Sequence, residues 1–594
     1  MLQRITRLIF VASVTTVAVI FSSSVRESAS GQSNRRSKDE RPNIVILVAD
    51  DMGYTDIGAY GSEVPTPNID ALANKGMKFT NFHVGPSCSP SRSMILTGVD
   101  NHKAGFGSMR DRITPNQKGK PGYEAHLTQQ VVTFADMMKD SGYHTYMVGK
   151  WHMGEEREFW PYSRGFEQSF AMLQGAGSHY TNGGFDHLDP INTFVENDKM
   201  VSTLPKDFYS TKTFTDKTIE FIDKNRKDDK PFIAYMAYTA PHSPFQAPQE
   251  YIKKYMGKYD AGWDKIREQR FKRMKELGII PDYINLPPRW PMVKAWDQLS
   301  PEEKKIESKK MAVYAAMIDY LDMSIGRFVK YLKDTGEYDN TIFIFMSDNG
   351  GSIHDVSHGM PEYEEWLKKS GYDNSYENIG NPNSFTSTSF GWGQVITTPH
   401  WAAKGTVASG GIKAPFFVTY PKAIKPGITR AFANVRDMTP TFLDYAGAKM
   451  PGNKYKGKSI YPIEGKSMRP LWEGKKERIY GDNDPVGFEL YGKANKALIL
   501  GDWKILRLGD MPWGSGNNEK WKLFNMAIDP TDMNDLSAIY PNQVQKMIAL
   551  YEQYEKNVGV VPAEAPQSSL VNPNVGINPE VGNIFDNGLL LPSN

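Results

Sequence analysis

"NIVILVADD", residues 43 to 51, is an apolar run that ends in two aspartates. Unbroken rather than alternating apolar character marks a strand buried on both faces, as in parallel sheets covered by helices. The pattern returns in "YHTYMVGKWH" (143 to 152), "PFIAYMAYTAPH" (231 to 242) and "TIFIFMSDNG" (341 to 350), each closing on polar, chemically able residues. Between them lie helical stretches such as "LTQQVVTFADMMKDSG" (127 to 142) and "MAVYAAMIDYLDMSIGRFVKYLKDTG" (311 to 336). This alternation predicts an α/β fold, a mostly parallel sheet flanked by helices. The binding crevice of such a sheet lies beyond the carboxyl ends of its strands, so the four polar endings are expected to meet there.

Outward from this core the texture changes. At 66.9 kDa the chain exceeds what one core usually serves, and a second domain is expected. From about residue 478, "KALILGDWKILRL" and "KWKLFNMAIDPTDMNDL" alternate short strands with turns, and "YPNQVQKMIALYEQYEKNV" (540 to 558) reads as a helix. We therefore expect a catalytic α/β domain over 31–475, a smaller antiparallel sheet with a helix over 476–560, and an extended tail over 561–594. The charged, proline-interrupted segment 250 to 310 reads as a helical insertion.

Residues 1–30 place Arg4 and Arg7 before an apolar run from Leu8 to Phe21 and then small residues, the order of a secretory signal peptide. Fourteen apolar-run residues fall short of the roughly 20 that a spanning helix needs, so a periplasmic or secreted protein without a stable membrane anchor is expected. These thirty residues also carry the whole formal net charge of +2. The remainder is neutral, and its mixed or short charge clusters do not describe a nucleic-acid binder.

Asp50, Asp51, Asp348 and Asn349 offer the hard oxygen ligands that calcium takes, magnesium being the lesser fit, although either pair alone also reads as a turn. Lys150, His152 and His242 end two further strands. Cys88, the sole cysteine, has no internal disulfide partner. Ser89 followed by Pro90 reads as an N-cap and first helical residue, which sets Cys88 just ahead of a helix N-terminus that favours an anion. Arg92 lies about one turn further on and adds a fixed positive charge.

The stretches "PNIVILVADDMGYTDIGAYG", "GPSCSPSRSMILTG", "GYHTYMVGKWHMG", "YTAPHSPFQAP", "FMSDNGG", "AKGTVASGGIKAPFFVTYP" and "RDMTPTFLDYAG" resemble the type I sulfatases, in the same order and across residues 42 to about 475. The resemblance is greatest to secreted bacterial arylsulfatases and implies an alkaline-phosphatase-like fold. "CSPSR" fits the family's C-x-P-x-R signature, whose cysteine becomes formylglycine through a formylglycine-generating enzyme. The resemblance implies hydrolysis of aryl, alkyl or sugar sulfate monoesters: one oxygen of the hydrated aldehyde attacks sulfur, and the other, once deprotonated, expels sulfate. It implies a calcium ion on residue 88, Asp50, Asp51, Asp348 and Asn349, with Arg92 orienting the hydrated aldehyde. Lys150 and Lys404 would bind sulfate oxygens, His242 would protonate the leaving alcohol and His152 would act as base, the sequence itself leaving the two histidines unordered.

Two positions depart from the family pattern. Ser409 stands where an acid usually precedes the two glycines, and Lys413 where arginine is common. The rival readings are a phosphate or phosphonate monoester hydrolase on the same superfold and a binder of sulfated glycans that kept the scaffold. The segment "NSFTSTSFGWGQVITTPHW" (383 to 401) offers Phe385, Phe390, Trp392 and Trp401 either to a substrate pocket or to loop packing.

Overall fold

The computed structural model describes residues 39–185, 189–353, 361–490, 495–508 and 520–564. The signal peptide expected over 1–30 and the tail beyond 564 lie outside these residues. The described residues form one compact unit.

Ten strands make the main sheet. Its centre is Thr341–Ser347, Asn43–Ala49, Phe232–Ala237, His144–Lys150 and Gln168–Met172, side by side and all parallel. Phe416–Thr419 joins the Thr341–Ser347 side antiparallel, and short strands complete both edges. Alternate residues of Asn43–Ala49 enter two different cores: Val45, Leu47 and Ala49 on one face, Ile44, Ile46 and Val48 on the other. That two-sided burial is why the run is apolar throughout. Helices Ser210–Asn225 and Pro301–Asp334 cover the first face, and Cys88–Thr97, Phe134–Asp140 and Met438–Ala446 the second.

Helix boundaries differ from the sequence reading where capping decides them. The helix expected over 127 to 142 runs only over Phe134–Asp140, because Thr133 accepts from the Asp136 N–H and turns the chain, while Val131 and Val132 ahead of it pack into the core. The helix expected from 311 starts at Pro301, where Ser300 and Glu303 form a reciprocal capping box. It takes the last residues of the expected insertion, leaving Gln249–Tyr255 and Gly262–Glu276 as the insertion's own helices.

Near the C-terminus Val486–Glu489, Asn495–Leu500, Trp503–Leu508 and Lys522–Asn525 form an antiparallel sheet. One face, with Leu498, Leu500, Ile505 and Leu523, packs on the helix Pro541–Val558 through Val544, Met547 and Tyr551. The other face, with Ala497, Ile499, Leu506 and Phe524, joins the first core of the main sheet.

A buried imidazole ties this sheet to the α/β body. His102 Nδ1 lies 3.0 Å from Asp100 Oδ1, and its Nε2 lies 2.9 Å from Glu489 Oε2. Burial opposes a charge here, but a carboxylate on each ring nitrogen outweighs it and raises His102 to about 9, with Arg436, Tyr123 and Tyr554 also facing the cluster. Because the folded value lies above the unfolded one of about 6.5, the linked stability is complete below pH 6.5 and lost as pH rises through about 9. The contribution is on the order of 3 kcal/mol. Thermal unfolding should therefore show a falling midpoint across pH 6.5 to 9, and His102→Asn should be less stable but flatter over that window. A wild-type midpoint constant across it contradicts the assignment.

Candidate active site

Asp50 and Asp51 follow the strand Asn43–Ala49, and Asp348 and Asn349 follow its neighbour Thr341–Ser347. The Asp51 N–H donates to Asp348 Oδ1 at 3.3 Å, which locks the two strand ends together. Asp51 holds φ at 63°, a left-handed conformation uncommon for a residue with a Cβ. The turn beyond it is pinned by Asp56, which accepts from Gly53 N, Tyr314 OH and Arg270, a fully buried arginine on the insertion helix Gly262–Glu276. The insertion thus braces the two aspartates.

Cys88 is the first residue of the helix Cys88–Thr97, with Ser87 at the N-cap and making no side-chain cap bond. This corrects the expectation that Ser89 caps the helix: Cys88 lies inside its first turn. Its Sγ lies 3.5 Å from Asp50 Oδ1 and 3.9 Å from Asp51 Oδ1. Burial pushes the thiol up to about 12 against the pull of Lys150 and Lys404, so it is a thiol and not a thiolate at neutral pH. Arg92, fully buried one turn on, pairs with Asp348 Oδ2 at 2.8 Å, lies 3.7 Å from Asp50 Oδ1 and donates to the Lys150 carbonyl.

Lys150, the last residue of its strand, holds both Asp50 oxygens at 2.9 and 2.8 Å. Lys404 holds Asp51 Oδ1 at 2.6 Å. Burial raises Asp50 to about 7 despite Lys150, whereas Lys404, His242 and Lys150 together overcome burial at Asp51 and hold it below its ordinary value. Burial would lower the Lys404 ammonium, but Asp51 and its acidic neighbours keep it well above its ordinary value. Three carboxylates and three cations are therefore interleaved around residue 88.

His242 follows the strand Phe232–Ala237. Its Nδ1–H donates to the Ser243 carbonyl at 2.6 Å, which leaves Nε2 facing Lys404 Nζ at 3.5 Å and Asp51 Oδ2 at 3.3 Å. Burial lowers it to about 3, Asp51 only partly opposing, so the imidazole is neutral. His152, at φ 58°, is also held neutral, by burial and by the Lys150 and Arg92 charges. Its ring lies against Gly175, where a Cβ would come within 2.6 Å of Cε1.

The donor chemistry fits a hard cation. Asp51 Oδ2 and Asn349 Oδ1 are buried and take no hydrogen bond among the described residues, which is costly unless something else satisfies them. Asp50, Asp51, Cys88 and His242 offer ligand atoms within 4.8 Å of one another. His242 enters that group through a nitrogen, which calcium and magnesium take less readily than oxygen, so the carboxylates and Asn349 are the better donors.

Ser409 illustrates what the sequence reading missed. The acid absent from that position arrives from the C-terminal region: Asp532 Oδ2 accepts from Ser409 N at 2.7 Å and pairs with Lys504 at 2.7 Å, while Lys504 also meets Ser409 Oγ. Lys413 donates to the Pro530 carbonyl in the same region. The following Gly410 is packed so closely that a Cβ would lie 1.9 Å from the Ala402 carbonyl oxygen, just beside Lys404. Of the aromatics offered to the pocket, Trp392 is buried among Trp263, Trp296 and Tyr259, Trp401 packs toward Trp290, and Phe390 packs against the core. Phe385 joins a cluster with Phe185, and Phe185 is the ring that meets His242, centroids 5.3 Å apart.

Carboxylates, lysines and imidazoles gather at the carboxyl ends of parallel strands on an alkaline-phosphatase-like fold, in a site suited to an anion and a divalent cation. The family profile "Sulfatase" matches residues 42–448, and "N-sulphoglucosamine sulphohydrolase, C-terminal" matches residues 400–557. An uncharacterized sulfatase of Schizosaccharomyces pombe is 38% identical over 92% of this chain and 98% of its own length. The arylsulfatase of Klebsiella aerogenes is 38% identical over 74% of this chain and 94% of its own. The solved structure of Ps i-CgsB with k-i-k-neocarrahexaose shares the fold, with a TM-score of 0.61 at 24% identity, covering 91% of this chain and 96% of that one. The chain belongs to the sulfatase family and is a sulfuric ester hydrolase. Among the described residues no helix is long and apolar enough to cross a membrane.

Proposed function

We propose that Cys88 is converted to formylglycine by a formylglycine-generating enzyme, and that the chain cleaves aryl, alkyl or sugar sulfate monoesters to alcohol and inorganic sulfate after export to the periplasm or beyond. The observation that carries this reading is the set of carboxylates and cations around residue 88, with Asp50, Lys150 and Arg92 on one side and Asp51, Lys404 and His242 on the other. The basic, then apolar, N-terminal sequence supports export.

The hydrated formyl group supplies an oxygen nucleophile for sulfur and a second hydroxyl whose deprotonation releases sulfate. Calcium on Asp50, Asp51, Asp348, Asn349 and residue 88 supplies polarisation of the sulfuryl oxygens, magnesium being the weaker candidate. Everything else falls to this chain's own side chains. Arg92, fixed by Asp348 and about one turn along the same helix, orients residue 88. Lys150 and Lys404 bind sulfate oxygens and offset the charge that builds on them, an electrostatic role in a water-poor site. His152, neutral and with Nδ1 taking no hydrogen bond among the described residues, accepts the proton whose removal releases sulfate.

His242 protonates the leaving oxygen. Its neutrality, set first by burial and further by Lys404 and Lys150, places a condition on that role: the negative charge of a bound sulfate ester must offset burial and the two lysines before the ring takes up a proton. Acid assistance matters most for a strongly basic leaving alkoxide. His242→Ala should lose roughly 10² to 10⁴ in single-turnover cleavage of alkyl or sugar sulfates and much less with nitrophenyl sulfate. Equal losses across leaving groups reassign His242 to sulfate binding. The same wild-type assay on a matched phosphate monoester tests the reaction class, and faster turnover of the phosphate overturns the sulfatase assignment.

A further inference from the structure

The loop backbone at Lys404 is held by the α/β body through two consecutive N–H groups. Lys404 N donates to the Gly351 carbonyl at 3.0 Å, and Gly405 N donates to the Pro86 carbonyl at 2.7 Å, two residues before Cys88. The residues just beyond Lys404 are gripped from elsewhere. Asn495, at the start of a strand in the C-terminal antiparallel sheet, is 4% exposed and uses every atom of its amide on backbone. Its Oδ1 accepts from Val407 N at 2.9 Å, and its Nδ2 donates to the carbonyls of Gly405 and Leu490, each at 2.8 Å. One side chain therefore bonds the loop on both sides of Thr406, and Gly405, whose carbonyl it holds, uses its N–H to bond the chain leading into Cys88. Two residues further on, Asp532 accepts from Ser409 N. Ala402 at φ 61° holds a left-handed conformation uncommon for a residue with a Cβ, and Gly405 at φ 85° supplies the second bend without strain.

From this geometry we infer that Asn495 is a positioning residue for Lys404: the C-terminal sheet sets where the ammonium meets the sulfate group, by fixing the loop backbone next to it. Lys404 is a flexible side chain whose Nζ is useful only if its stem starts from one place. Nothing else among the described residues bonds both Gly405 O and Val407 N, so loss of the amide frees the two peptides that flank Thr406, beginning one residue beyond Lys404. The chemistry of the amide matters more than its volume, because a carboxylate of the same shape keeps the acceptor for Val407 N but turns two donors into repulsion against two carbonyl oxygens.

The inference rests on Lys404 binding sulfate, and a double-mutant cycle separates the two claims. The variants Lys404→Ala, Asn495→Asp and the double variant are compared by kcat/KM on a sulfate ester and by inhibition with inorganic sulfate. Asn495→Asp should lose about tenfold in kcat/KM and weaken sulfate inhibition in the same direction as Lys404→Ala, within the range seen for coupled neighbours. In the Lys404→Ala background the Asn495→Asp change should cost almost nothing more. Equal cost in both backgrounds overturns the positioning role while leaving the Lys404 reading intact. Unchanged kinetics and unchanged sulfate inhibition in Lys404→Ala alone overturn the sulfate-binding reading, and the positioning role with it. Asn495→Ala, which removes the bonds without adding charge, carries the same cycle if the aspartate variant does not fold.

Discussion

Cys88→Ala is expected to fold normally and to lose turnover on the order of 10⁶-fold, the scale seen when an enzyme loses its nucleophile. Folding should survive because the thiol is a small buried group in the first turn of a helix that is otherwise fixed by Arg92, Ser91 and Ser93. Catalysis should not, because no other described side chain points a nucleophilic atom at both Asp50 and Asp51. Cys88→Ser sharpens the test. A serine oxygen attacks sulfur once but has no second hydroxyl to expel the sulfate, so this variant should give at most one equivalent of alcohol and a stably sulfated residue 88. Mass spectrometry of the wild-type peptide spanning residues 85 to 98 should show the thiol sulfur replaced by an aldehyde, with activity proportional to the converted fraction. Fully active enzyme carrying only an unmodified thiol at residue 88 contradicts the mechanism. It would also leave unexplained how a neutral thiol, raised to about 12 by burial, attacks anything at neutral pH.

The centre of this molecule is legible in the sequence because its strands are buried on both faces. Ile44 to Ala49 and Ile342 to Met346 must be apolar at every position, and the first polar residue after each run has to lie at the sheet's carboxyl edge. The polar residues that close these runs include Asp50, Asp51, Asp348 and Asn349, and the other two runs close on Lys150 and His242; no one pair is distinctive, and it is their common place at the carboxyl edge that singles them out. The helix that carries Cys88 starts two residues ahead of the sequence expectation, because Ser89–Pro90 carries a strong local cap signal while the N-cap is Ser87, which makes no side-chain cap bond. What local pattern cannot find is support that arrives from far along the chain. Asp532 meets Ser409 across 123 residues and Arg270 meets Asp56 across 214, and each is an ordinary charged residue in its own neighbourhood. Asn495 likewise lies 88 residues from Val407 and sits on a strand whose pattern speaks only of a half-buried sheet. Phe185 is hidden for another reason: it belongs to a loop without periodicity, and only its 5.3 Å contact with the His242 ring gives it a place at the site.

Removing the divalent cation should abolish turnover, and the variant that separates metal binding from ion-pair stability is Asn349→Ala. Substituting Asp348 strands Arg92, a fully buried guanidinium that takes both Nε and a terminal nitrogen to Asp348 Oδ2, and breaking such a pair typically costs about 3–5 kcal/mol. Loss of activity there would have two explanations. Asn349 carries no charge. Its Oδ1 is buried and takes no hydrogen bond among the described residues, so it is the atom with the clearest reason to face a cation, and its Nδ2 donates to Asp51 Oδ1 at 2.8 Å. Deleting the side chain removes one hard oxygen and loosens Asp51 without leaving an unpaired charge. The expected result is one bound calcium per wild-type chain by elemental analysis and, in Asn349→Ala, an affinity weaker by at least the roughly 10- to 100-fold that losing an outer-shell partner costs. Turnover should fall at low calcium and recover as calcium is raised, while the melting temperature measured with chelator stays close to that of chelated wild type. Asn349→Asp keeps the oxygen and should retain calcium, but it places a carboxylate beside Asp51 and loses the Nδ2 donor, so its optimum should shift with the local charge. Wild-type activity that survives exhaustive chelation, with no metal left on the protein, removes the cation from the reaction and leaves Lys150, Lys404 and Arg92 as its only electrostatic help.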